Sequence, residues 1–123
     1  MSLRSKLLPV KFAWQRLSRG WDDRVLWSVD YHLIKVVPQW LERMKTKKSG
    51  IPGWCFDDPF DNSKESWAKA RAKWIETVDQ MLDGWEAAQE IVDSDFPVSY
   101  EDSHERYHKG MDVFVERMFD LWD

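Results

Sequence analysis

One cysteine, Cys55, stands among the 123 residues, so no disulfide can form within the chain and a zinc site built on cysteines is excluded. A reducing compartment fits that usage. No stretch approaches the ~18 uninterrupted apolar residues of a membrane span. The first residues, where Pro9 and Lys11 interrupt the Leu7 and Leu8 pair, do not read as a signal peptide. These absences predict a cytoplasmic protein with no membrane partner. A glycine-rich phosphate cradle is missing, no serine sits in a Gly-x-Ser-x-Gly turn, and Cys55 has no basic neighbour in sequence. The expectation is a protein without a cofactor and without catalytic residues. The formal charge of -4 argues against a duplex nucleic acid partner, which calls for a basic domain or stripe.

What the chain does have is apolar residues at helical spacing. With 43% hydrophobic and 33% charged residues it has the composition of a folded protein, and its length suits one helical domain over 1–123. Residues 1–9 read as a flexible basic N-terminus. The spacing predicts a short basic helix over 10–19 closed by Gly20, with Asp22 as the N-cap of the next. That second helix is expected over 23–47, apolar around more than half its circumference through Leu26, Val29, Leu33, Val36, Val37, Trp40 and Met44, flanked by Trp27, Tyr31, Ile34 and Leu41. Pro38 falls inside it and should kink it. Residues 49–62, "SGIPGWCFDDPFDN", form the one long loop. A third helix is expected over 63–93, with Trp67, Ala70, Trp74, Val78, Met81, Leu82, Trp85, Ala88 and Val92 on one face. Ser99 and Asp102 have capping-box spacing for a fourth, whose stripe runs to Trp122. With no alternating run in sight, the fold class is all-α: a compact helical bundle of three long helices plus a short N-terminal one. Helices apolar over so wide an arc also predict a homodimer or higher homo-oligomer.

Four polar residues fall on or beside the apolar stripes: Asp30, Arg71, His104 and His108. A buried charge is strongly unfavourable unless paired, so Asp30 is expected to accept hydrogen bonds from Arg71 or a histidine. Nearby Tyr31 and Trp74 could stack on a flat ligand, and the six together form a candidate ligand pocket. His104 and His108 are four apart, which puts both rings on one helix face. "SHERYH" is not the His-Glu-x-x-His pattern, however, and two ligands do not make a metal site, so none is assigned. Glu86, Glu90 and Asp93 in "WEAAQEIVD" faintly resemble half of the acidic signature of the all-α nucleotide pyrophosphohydrolases, but the companion acidic helix is missing. The loop aromatics Trp54, Phe56 and Phe60 either fold back as a lid or form a contact surface for a protein partner. The basic run Arg43, Lys45, Lys47 and Lys48 reads as a solvated helix end.

"RLSRGWDDRVLWSVDYHLIKVVPQWLERMK", the "SGIPG" loop, "MLDGWEAA" and the closing "GMDVFVERMFDLWD" together resemble a family of small uncharacterised proteins encoded by tailed bacteriophages. The resemblance runs from about residue 16 to the end, and its most specific parts are Trp27, Asp30 and Tyr31 and the terminal Leu-Trp pair. It implies no catalytic residue. What it implies is context: an accessory protein in an infected host cell, acting as a non-catalytic binding module that sequesters a nucleotide immune signal. The alternatives are a factor that grips a host or phage protein through the 54–60 loop, and a metal-dependent nucleotide pyrophosphohydrolase.

Overall fold

A computed structural model describes residues 3–93 and 100–122, with side chains described over 7–93 and 101–122. Among the described residues the structure is all-helical, with four α-helices and no strand. The helices are α1 (Leu3–Arg19), α2 (Val29–Lys47), α3 (Lys64–Asp93) and α4 (Tyr100–Glu116), with 3-10 turns at Asp23–Trp27, Gly53–Cys55 and Met118–Asp120. No described helix is long and apolar enough to cross a membrane. The chain falls into two compact units, one ending at Leu33 and a larger one beginning at Ile34.

In the smaller unit, α1 starts at Leu3 and carries Pro9 inside it, so the helix is longer than the predicted 10–19. Gly20 closes it at φ +84, with its N–H on the Arg16 carbonyl at 2.9 Å. That left-handed conformation costs glycine nothing and other residues about 1–2 kcal/mol. Asp22 is indeed a cap, but of the five-residue Asp23–Trp27 turn and not of a long helix. Its buried carboxylate accepts from Arg24 N at 3.0 Å, from the Arg24 side chain at 3.0 and 2.9 Å and from Arg16 at 2.7 Å. These bonds hold the turn tight. Ser28, at φ -160 and ψ 76, then breaks the helical path. Short hydroxyl side chains favour such positions because they bond locally to neighbouring groups.

In the larger unit the core gathers Ile34, Val37 and Leu41 of α2, Ile51 and Cys55 of the loop, and Ala70, Trp74, Val78, Met81, Trp85 and Ala88 of α3. The α3 residues recur at three and four, as the spacing predicts. Each fully buried large side chain among them contributes roughly 1.5–3 kcal/mol. The α2 seam is narrower than expected. Within this unit Trp40 is exposed, and Ile34, Val37 and Leu41 come from both predicted rows. Lys45 of α2 reaches Asp79 of α3 at 2.7 Å.

α4 packs on α3 at a glycine crossing. A Cβ on Gly84 would lie 2.6 Å from Gly110 Cα, and one on Gly110 only 2.3 Å from Gly84 Cα. Two backbones can meet this closely only where neither bears a side chain. On either side of the crossing, Arg106 donates to Asp83 at 2.7 Å and to Glu90 at 2.7 Å, and the buried Ser103 hydroxyl donates to Glu90 at 3.0 Å. The expected Ser99–Asp102 capping box lies partly outside the described residues, and past Glu116 the helix gives way to the Met118–Asp120 turn.

Candidate functional site

The 49–62 loop is built outward from a buried cation. Lys48, at the end of α2, is buried, and its ammonium donates to the Asp120 carbonyl at 3.0 Å and to the Trp122 carbonyl. It lies 4.0 Å from the centroid of the Trp122 ring and 5.3 Å from that of Trp74. An ammonium removed from water is tolerated only with such donors' partners and π-faces around it. Arg71, half-buried on α3, donates to the Lys48 carbonyl at 3.4 Å. The C-terminal turn is thereby tied to the start of the loop.

Trp54 continues the tie. Its indole N–H donates to Asp120 Oδ2 at 2.9 Å, the Arg117 guanidinium covers its ring at 3.8 Å, and the ring meets Trp74 edge-on at 6.4 Å. Cys55 is buried beside it, and burial pushes its thiol up from the ordinary range. Phe56 packs edge-on against Trp67 at 5.0 Å. Trp54 and Phe56 therefore fold back on the helices, which is the lid arrangement.

The loop tip does the opposite. Phe60 is 94% exposed. It is held out by two aspartate turns, in which Asp58 Oδ1 accepts from Phe60 N at 3.0 Å and Asp61 Oδ1 accepts from Ser63 N at 3.0 Å. Asp57 pairs with Lys69 at 2.5 Å, and that ammonium holds its carboxyl below the usual range, while the Ser63 N–H does the same for Asp61. The flanking base is fixed by Ser63, which accepts from Ser66 N at 3.2 Å, and by Asn62, which accepts from Trp67 Nε1 at 3.1 Å. The tip is an aromatic ring on a hydrogen-bonded base, bordered by carboxylates.

Of the expected pocket residues in the larger unit, Arg71 lies apart from His104 and His108. Asp30 is exposed in the first turn of α2, where it accepts from Ser28 Oγ at 3.1 Å. An acid there favours the positive end of the helix dipole, which accounts for its place in an apolar pattern without a buried partner. Tyr31 is exposed beside it, and Trp74 is fully buried, its ring unavailable for stacking on a ligand. Arg71 bonds to Lys48, whereas His104 sits beside Ser103, whose partner is Glu90. Nineteen residues of α3 separate Arg71 from Glu90, roughly 28 Å of helix. His104 and His108 do share a face, with ring centroids 6.3 Å apart. Among the described residues no three His, Cys, Asp or Glu side chains gather to hold a metal ion. Of the acidic run, Glu90 is taken up by Arg106 and Ser103, Glu86 lies 3.8 Å from Arg106, and Asp93 accepts from Gln89 at 2.6 Å.

Lys48, Asp120 and Arg117 were not singled out from the sequence. Lys48 lies in a basic run, and its partners are more than seventy residues away. Asp120, two residues from the Leu-Trp end, carries no local signal. Comparison with known proteins finds no matching family model, no matching curated protein and no matching solved structure.

Proposed function

We propose that the chain is a non-catalytic binding protein, on a helical-bundle scaffold, that grips another protein through the tip of the 49–62 loop. The observation that carries this reading is the exposed Phe60, set on a base whose turns, ion pair and packing are already formed in the free chain. Anchoring aromatics dominate protein interfaces, and a loop whose backbone is already hydrogen-bonded loses less entropy on docking than one that must first fold. Asp57, Asp58 and Asp61 around the ring favour a partner whose apolar pocket has a basic rim. The separation of Arg71 from His104 and His108 weighs for a protein partner over a sequestered nucleotide. The phage accessory role and the infected cell as its setting belong to the same proposal and rest on the resemblance.

The test is a photocrosslinking side chain at position 60, compared with the same group at the exposed Val115, in bacterial cells producing the protein. One discrete adduct from position 60 alone is expected. Identical adduct patterns from both positions, or none, would dismiss the loop tip as the contact element.

A further inference from the structure

α1 has two faces with different fates. On one, Phe12 is buried with its ring edge-on to Trp27 at 5.9 Å, Gln15 and Arg19 hold Asp23, and Arg16 holds Asp22. On the other, Leu7, Val10, Trp14 and Leu17 follow one another at three, four and three residues, and stand 53, 64, 70 and 84% exposed. That spacing makes one stripe along the helix. Leu26 and Trp27 of the same unit are exposed as well. A contiguous apolar stripe of this kind marks a surface that something covers.

Charge tells which kind of surface. Over Leu3–Arg19 the sequence holds five basic residues and no acid. The unit ending at Leu33 carries six basic and three acidic residues, a net of +3, while the rest of the chain is at -7. A two-fold pairing of this face with a second copy would bring two such +3 units together, which like charge opposes. A nucleic acid would meet the charge but has no use for Leu7, Val10 and Leu17, since it is bound by phosphate contacts and aromatic stacking. An anionic phospholipid surface satisfies both features, acyl chains taking the leucines and valine, the boundary region the indole of Trp14, and the anionic headgroups the unit's net +3, which remains although Lys11, Arg16 and Arg19 are themselves paired with Asp22 and Asp23. The sequence expectation of no membrane partner rested on the lack of a spanning run, which does not bear on a helix lying in the plane of the interface.

We propose that α1 is an interfacial anchor that lays its Leu7, Val10, Trp14 and Leu17 face into the surface of a bilayer rich in anionic phospholipid. This is independent of the loop tip and of its partner.

The test is co-sedimentation of the full chain with vesicles of phosphatidylglycerol and, separately, of phosphatidylcholine. Binding to phosphatidylglycerol is expected to be tighter by roughly tenfold or more, and to weaken in high salt. Trp14→Glu and Leu17→Glu, both at exposed positions where the fold has no need of the side chain, should each weaken it by about tenfold or more. Trp40→Glu, exposed on α2, should leave it unchanged, and circular dichroism confirms that all three variants are folded. No binding to phosphatidylglycerol, equal binding to both lipids, or binding that survives Trp14→Glu and Leu17→Glu would each overturn the proposal. So would a concentration-dependent dimer, dissolved by the same two substitutions, in a chain that does not bind vesicles.

Discussion

Gly84 and Gly110 face each other where α3 and α4 cross, so close that a single methyl on Gly84 would sit 2.6 Å from Gly110 Cα. Alanine at either position gains up to ~1 kcal/mol of helix propensity. The clash outweighs it, because neither backbone can move without dragging its helix and the Arg106 contacts along. Gly84→Ala and Gly110→Ala should each lower stability by about 1–3 kcal/mol net, and the double variant should not restore it. Urea denaturation checks this, with Gly53→Ala, which has open space around it, as the near-neutral control.

Lys48 ties α2 to the C-terminal turn through the carbonyls of Asp120 and Trp122. Lys48→Met keeps most of the volume, removes the ammonium from the Trp122 carbonyl and leaves the Asp120 carbonyl with the Trp122 N–H. The expected loss is about 1–3 kcal/mol. Amide exchange should rise first at Leu121 and Trp122, and unchanged exchange there would mean that the turn is held without the Lys48 tie.

Trp54→Phe keeps a ring under the Arg117 guanidinium and removes the N–H that donates to Asp120. A cost of about 1 kcal/mol is expected, smaller than for Trp54→Ala, since the apolar contact survives in the first and not in the second. Thermal or urea unfolding of the pair reads the difference.

Acid should loosen the smaller unit locally. The Arg24 guanidinium, with Arg16, holds the Asp22 carboxyl far below the usual carboxylate range. A carboxyl lowered in the folded state adds stability above its unfolded pKa of ~3.9 and loses it as pH falls through the lower folded value. The Arg24 amide resonance should therefore stay in place down to about pH 4 and move only in stronger acid. In Asp22→Asn that late titration should vanish.

The regular parts of this architecture were readable from spacing. The α3 row from Ala70 to Ala88 and the Gly20 cap follow from local rules that act within a few residues. The start of α2 was not, because Asp22 and Ser28 offer the backbone side-chain hydrogen bonds that compete with a continuous helix, and the two outcomes share one apolar pattern. The reading of 1–9 as a flexible N-terminus missed the first turns of α1, which runs from Leu3 with Pro9 inside it. At the candidate site, the composition of the loop pointed to clustered aromatics but not to their separation into Trp54 and Phe56 inside and Phe60 outside. That division depends on Asp120 and Arg117, whose approach no short-range pattern encodes. The approach of Gly84 to Gly110 was not read from the sequence either, since spacing within each helix does not say which residues of two helices meet.

Cys55 is buried next to Trp54 in the loop, and burial pushes its thiol up, so in the folded chain it should resist alkylation. Because it is the only thiol in the chain, every labelling event reports exposure of this one buried position. The protein carries its own reporter: the rate at which a small alkylating reagent marks Cys55 follows the fraction of molecules in which the thiol is uncovered, and a bound partner that clamps the loop would slow it.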